Sequence, residues 1–232
     1  MNRKNLISLI HQFYKELKYA TRKGKSPIVP FKYFFTYINQ NRIKQDRLQN
    51  KTPWMTVPAI KLLESYVFPG TNVFEYGSGA STLFFGSKGA KVTSIEHDSV
   101  WCQIVKEKLI QEDFNKVSII LKEPKKSYSF DGVFSKKDKN YLQCDYTEYA
   151  RAIKKFDDQF FDIVVIDGRV RVACLEEALP KLKKGGLLVF DNGDREEYQS
   201  ALLKLKSYLL LSDYTVSSFD LSFSQTNIYK LV

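Results

Sequence analysis

Cysteine is scarce in this chain of 232 residues. The three present, Cys102, Cys144 and Cys174, are odd in number, far apart and without metal-ligand spacing. That argues against a disulfide framework or a zinc site and leaves buried thiols as the expectation. Long apolar runs are missing too: none reaches the roughly 18 residues that a membrane-spanning helix needs. A leader pattern is also lacking, because His11 and Gln12 interrupt the short apolar stretch near the N-terminus, and a cytoplasmic location is expected. Acids are nearly absent from residues 1–51, where Glu16 and Asp46 stand against twelve Lys or Arg. In the rest of the chain 24 basic and 24 acidic side chains cancel, so the whole formal charge of +10 belongs to the N-terminal arm. Attraction to phosphate or anionic lipid is accordingly assigned to that arm, with a peripheral membrane contact as one reading.

A hydrophobic content of 44% in a chain of this length builds one substantial core. The organisation expected is a basic helical arm over 1–51 and one domain over 52–232. In the arm, Leu6, Ile10, Phe13 and Leu17 repeat at helical spacing, and Phe31, Phe34, Phe35 and Ile38 form a second, aromatic-rich face. Lys23-Gly24-Lys25-Ser26-Pro27 breaks the two apart. Two readings stay open: helices capping the domain with solvated basic side chains, or a surface for a membrane or a polyanionic substrate.

From Pro53 onward strand-like and helix-like segments alternate, the pattern of an α/β fold with a mostly parallel, doubly wound sheet. Strands are expected at 72–76, 91–95, 117–121, 162–166 and 186–190, with helices at 81–87, 99–111, 170–183 and 195–210. The runs 214–219 and 227–232 are expected to close the sheet as an antiparallel hairpin, which is foreign to nicotinamide-binding domains.

The strongest motif is Val73-Phe74-Glu75-Tyr76-Gly77-Ser78-Gly79-Ala80-Ser81-Thr82. Gly77 and Gly79 permit close backbone approach and positive φ, and the following helix turns its unpaired N–H groups into the loop. A G-x-G turn alone is common among nucleotide folds. Here a carboxylate, Glu75, precedes it, where it suits a ligand ammonium and repels a pyrophosphate. Thr82 replaces the third glycine of the dinucleotide fingerprint, and Glu96, seventeen residues after Gly79, ends the second strand where it can hold two ribose hydroxyls.

With Ser94-Ile95-Glu96-His97-Asp98 and Val165-Ile166-Asp167-Gly168-Arg169, these motifs over residues 53–232 resemble class I S-adenosylmethionine-dependent methyltransferases. They are similar to bacterial enzymes of surface-polysaccharide and natural-product gene clusters. The resemblance implies a seven-stranded Rossmann-like sheet and S-adenosylmethionine as cofactor. By position, Glu75, Gly77 and Gly79 would surround its methionine part, Glu96 its ribose and His97 its adenine, with Ser81, Thr82 and Asp167 as further cofactor-binding residues. Trp54-Met55-Thr56 either covers the cofactor or anchors the arm.

Two further strand ends, Asp167 and the pair Asp191-Asn192, face the same crevice in a parallel sheet. Two carboxylates and an amide oxygen suit a hard cation such as Mg²⁺, and their placement resembles catechol O-methyltransferase. The competing reading has Asp167 positioning cofactor or substrate and Asp191 and Asn192 capping a turn. Asp167 is the leading catalytic candidate, as base toward an acceptor hydroxyl. Arg169 and Arg171 either hold an acidic substrate group or pair with Glu176 and Glu177. The long segment 122–159, with Tyr141, Tyr146 and Tyr149, is expected to be a lid or substrate wall.

The function expected is O-methylation of a small molecule or saccharide. The neutral body and the absence of an Asn-Pro-Pro-Tyr or Asp-Pro-Pro-Tyr motif argue against nucleic acid, although RNA methylation guided by the arm remains an alternative. A non-catalytic cofactor-binding partner is the other.

Overall fold

The structure is a computed structural model that describes residues 5–42, 46–127, 132–134 and 143–231. The arm contains α1 (Leu6–Arg22), α2 (Ile28–Lys32), α3 (Phe34–Asn41) and α4 (Arg47–Asn50), and α5 (Val57–Glu64) leads into the sheet. β1 (Asn72–Tyr76), α6 (Ala80–Ser87), β2 (Lys91–Glu96), α7 (Ser99–Gln111) and β3 (Val117–Leu121) follow in alternation. After them come β4 (Lys125–Lys126), β5 (Cys144–Asp145), α8 (Thr147–Ala150), β6 (Phe161–Ile166), α9 (Arg171–Ala178), β7 (Leu182–Phe190) and α10 (Gln199–Leu203). The chain closes with β8 (Leu209–Leu211), β9 (Tyr214–Val216), β10 (Phe223–Gln225) and β11 (Asn227–Lys230).

Seven strands form one sheet in the order β3-β2-β1-β6-β7-β11-β8. β11 runs antiparallel to both neighbours, while β3, β2, β1, β6 and β7 pair in parallel. The order reverses between β1 and β6, which opens a crevice beyond their carboxyl ends. Because side chains alternate across a pleated strand, both faces of these apolar strands are covered. Phe74, Val164, Ile166, Leu188 and Phe190 enter one core with α9, whereas Val73, Ile163, Val165, Leu187 and Val189 enter another with Phe84, Phe85 and α5.

The chain closes antiparallel with a hairpin, as expected, but the runs 214–219 and 227–232 do not pair with each other. β9 pairs with β10 in a two-stranded sheet of its own, and β11 enters the main sheet alone. The edge strand is β8, in a stretch read as the end of a helix; three leucines carry no period that separates strand from helix. β7 likewise starts at Leu182, four residues early, in a stretch assigned to the preceding helix.

α1 occurs where the spacing places it and the break after it holds, but the second stretch is divided at Tyr33 into α2 and α3, with Phe35 exposed and Ile38 buried. Leu9, Phe13, Leu17, Tyr37 and Ile38 bury against Val57 and, from the β9-β10 hairpin, Val216 and Phe223. Phe13 is fully buried and meets Phe31, Phe34, Tyr37 and Phe223 edge to face at 4.9–5.8 Å between ring centroids. Arm and hairpin thus share a third core.

In the expected lid, residues 128–131 and 135–142, with Tyr141, lie outside the described residues. Tyr146 and Tyr149 are buried in the main core beside His97, and no described residue of 122–159 lines the crevice. Hydrophobic packing outweighed the polar sequence around these two tyrosines.

Candidate active site

The chain leaves β1 through Gly77, whose φ of +93° strains any residue with a side chain. A Cβ on Gly77 would lie 3.0 Å from the Cα of Gly168, and one on Gly168 would lie 1.9 Å from the Tyr149 hydroxyl. The loops after β1 and β6 are therefore pressed backbone to backbone, which the Asp167 N–H secures by donating to the Tyr76 carbonyl at 3.1 Å. Gly79 differs from expectation. Its φ of 167° is extended, and a Cβ there meets only Trp101, at 3.9 Å, so this glycine keeps the crevice open without serving a left-handed turn.

Glu75 is also displaced from its expected role. It is fully buried and stands behind the loop, not in the crevice, where its Oε2 accepts from the Thr82 hydroxyl. Thr82 Oγ1 in turn accepts from the Gly79 N–H at 2.9 Å, so the pair braces the loop from behind. Ser81, by contrast, does line the crevice. Burial pushes the Glu75 carboxyl up to about 7 against the hydroxyls of Ser81, Thr82 and Ser94, and its Oε1 has no hydrogen-bond partner.

Glu96 sits at the crevice floor, as expected from its place at the tip of β2. Its Oε2 accepts from the N–H and hydroxyl of Ser78, at 2.9 and 3.0 Å. Its Oε1 accepts from the N–H groups of His97 and Asp98, at 2.7 and 3.0 Å, and lies 2.7 Å from His97 Nδ1. Burial raises its pKa, but these donors outweigh it and hold the carboxyl below its ordinary value. The carboxylate is thus kept charged and aimed by the two loops that would flank a ligand. His97 Nε2 accepts from Arg169 at 3.2 Å, which orients the ring at the crevice wall. Trp101 was not foreseen: Asp98 caps α7 by accepting from the Trp101 N–H, and the indole folds back to donate to the Ser78 carbonyl at 2.8 Å. An Asp before a helical run signals that cap, and residues of the first turn face the loop.

Asp167, Asp191 and Asn192 reach the same end of the crevice, yet they do not form the expected Mg²⁺ site. Arg171, 7% exposed, fills the space between them. Its guanidinium donates to Asp167 Oδ1 at 2.8 Å, to the Asp167 carbonyl at 3.2 Å, to the Gly168 carbonyl at 3.1 Å and to the Asp191 carbonyl. Asp191 Oδ1 accepts from Thr226 at 2.7 Å, and Asn192 Oδ1 accepts from Arg195. The donors a cation needs are spent on guanidinium and hydroxyl groups, so the residues do not fit the metal. Among the described residues no group of three His, Cys, Asp or Glu is arranged to hold one. Burial and the Asp167 carboxylate raise Asp191, while Arg171 opposes them. Asp167, a quarter of whose side chain is exposed to the crevice, is raised by desolvation, with Arg171 again opposing. Arg171 is therefore neither a surface ion pair nor a substrate clamp; it ties the loop after β6 to the loop after β7. Val170 and Asn192, both in these loops, hold φ of 43° and 51°, a strain of about 1–3 kcal/mol for the branched Val170.

The roof comes from the arm and the hairpin, a contribution that sequence reasoning reached only at Trp54. Arg47 stacks on the Trp54 ring at 3.7 Å and donates to the Phe219 carbonyl at 2.7 Å, while the indole N–H donates to Asp220 at 2.9 Å. Ser217, Ser222 and Ser224 add hydroxyls to the same wall. The crevice measures about 730 Å³, a volume that admits a nucleoside and a second molecule.

An open α/β sheet with a glycine loop, an acidic strand tip and a crevice at the reversal of strand order defines a nucleoside-ligand fold. The order with an inserted antiparallel last strand is more particular: this is the class I S-adenosylmethionine-dependent methyltransferase fold. Solved structures agree. The chain is similar to an O-methyltransferase from Bacillus cereus in complex with S-adenosylhomocysteine, at 15% identity over 85% of this chain and 96% of that one, with a TM-score of 0.58. It is also similar to a methyltransferase-like protein from Silicibacter pomeroyi (20% identity, 78% and 91% covered, TM-score 0.51) and to an rRNA methylase from Streptococcus thermophilus (12%, 74% and 93%, 0.52). No family model and no curated protein sequence matches the chain.

Proposed function

We propose that this protein transfers a methyl group from S-adenosylmethionine to a hydroxyl of a small molecule or saccharide, with Asp167 as the base. The observation that carries the proposal is the convergence of the Gly77–Ser81 loop, Glu96 and Asp167 on one crevice at the carboxyl ends of β1, β2 and β6. An acidic floor suits a cationic sulfonium ligand and repels a dinucleotide pyrophosphate. The residues fit the cofactor: the loop backbone and Ser81 would hold its amino-acid part, Glu96 its ribose and His97 its base. When bound, S-adenosylmethionine supplies an electrophilic methyl group on sulfur.

The chain's own residues then have three tasks. The Arg47, Trp54 and hairpin roof excludes water from the reacting pair. Arg171 fixes the Asp167 carboxylate through Oδ1 and holds it at the crevice, a quarter of its side chain exposed, to accept the proton of the attacking hydroxyl. Desolvation, which raises Asp167, strengthens it as a base.

The test supplies labelled S-adenosylmethionine and a panel of catechols, saccharides and bulk RNA. Label in a hydroxylated small acceptor is expected, and Asp167→Asn should lose about 10²–10⁴-fold in rate while binding S-adenosylhomocysteine nearly as before. Transfer to RNA alone would replace this reading with the rRNA-methylase one, and full activity in Asp167→Asn would remove the base.

A further inference from the structure

The outer surface of the arm takes no part in the crevice. It exposes Ile7 (74%), Ile28 (66%) and Phe35 (79%), together with Tyr14 and Phe31 at about half exposure. These side chains form one patch. Ile7 and Tyr14 are seven residues apart on one face of α1, and Tyr14 meets Phe31 at 6.1 Å between centroids. Ile28 lies one turn before Phe31, and Phe35 continues the row through Phe34 at 5.5 Å. Lys15, Lys18, Arg22 and Lys32 surround the patch and are exposed. Glu16, the single acid in residues 5–42, is turned away: its carboxylate accepts from Gln12 and from the Phe223 N–H.

We propose that this face docks the protein on an anionic phospholipid surface. Exposed aliphatic and aromatic groups ringed by Lys and Arg, with no acid between them, match a negatively charged interface with an apolar layer beneath it. Nucleic acid shares the charge preference and could stack on Tyr14, Phe31 or Phe35, but the aliphatic Ile7 and Ile28 offer a base neither stacking nor hydrogen bonds. The opposite faces of α1 and α3 are pinned to the β9-β10 hairpin, so the patch is presented without rearrangement. The same arm supplies Arg47 and Leu48 to the crevice wall.

Vesicle sedimentation tests the proposal with the full chain. Binding is expected to vesicles of phosphatidylcholine containing about 30% phosphatidylglycerol and not to phosphatidylcholine alone. Each lysine removed costs about fivefold in affinity, so Lys15→Gln with Lys18→Gln should lose about 25-fold. Ile28→Asp with Phe35→Asp should lose at least about tenfold without lowering the melting temperature, since both residues are exposed. Ile7→Asp provides a second probe of the apolar layer should that pair fail to fold. The proposal is overturned by absence of vesicle binding, by equal binding of the apolar variants, or by binding to a labelled RNA in place of the acidic vesicles.

Discussion

Glu75→Gln isolates the cost of the buried carboxylate behind the cofactor loop. Glu75 is fully buried, and burial raises its carboxyl from 4.5 to about 7. Below about pH 4.5 the group is protonated in both folded and unfolded chains and contributes no pH-dependent term. As pH rises toward 7 the unfolded chain releases a proton that the folded chain retains, so stability falls. Above 7 the loss is complete, and at 1.36 kcal/mol per pKa unit it amounts to about 3 kcal/mol. Gln keeps an acceptor for Thr82, and its amide can donate toward Ser94, which pairs with Glu75 in register. Urea unfolding of both proteins at about pH 5 and about pH 8.5 gives the double difference, in which titrations common to the two cancel. The variant should gain about 2–3 kcal/mol on the wild type between these pH values. A gap independent of pH, or one that narrows toward alkaline pH, would refute the picture of a desolvated Glu75.

Gly168→Ala should destabilise by at least about 3 kcal/mol in thermal or urea unfolding, because its Cβ falls on the buried Tyr149 hydroxyl; Tyr149→Phe should relieve part of that loss. EDTA should leave both methyl transfer and S-adenosylhomocysteine affinity unchanged, since Arg171 takes the place of a cation between Asp167 and Asp191; a loss restored by Mg²⁺ would contradict this. Both tryptophans line the crevice, so ligand should change the intrinsic fluorescence, and Trp101→Phe should remove the larger part of the change, as Trp101 holds the glycine loop.

Much of the frame was legible because it rests on local rules. The five parallel strands are apolar runs punctuated by Gly, Asp and Asn, and the Gly79 to Glu96 spacing marked the crevice. What the motifs did not show depended on how side chains pack, whether near or far in sequence. Glu75 reads as a ligand group from its position, but Thr82, seven residues on, captures it. Asp167, Asp191 and Asn192 read as metal donors until Arg171 enters from the next helix, a placement set by how α9 packs and not by spacing. The roof could not be read at all beyond Trp54, because Arg47 and Asp220 meet only when the arm folds over the hairpin. Tyr146 and Tyr149 looked like a lid in a polar segment, yet the core beneath them had room for both rings.

Isothermal titration of the purified protein with S-adenosylhomocysteine, and separately with NAD, tests the central claim most directly. One equivalent of S-adenosylhomocysteine should bind, with affinity reduced about thirty- to 150-fold in Glu96→Gln, the equivalent of about 2–3 kcal/mol for a carboxylate holding two hydroxyls. Binding of NAD in the absence of any binding of S-adenosylhomocysteine or S-adenosylmethionine would contradict the assignment of this crevice.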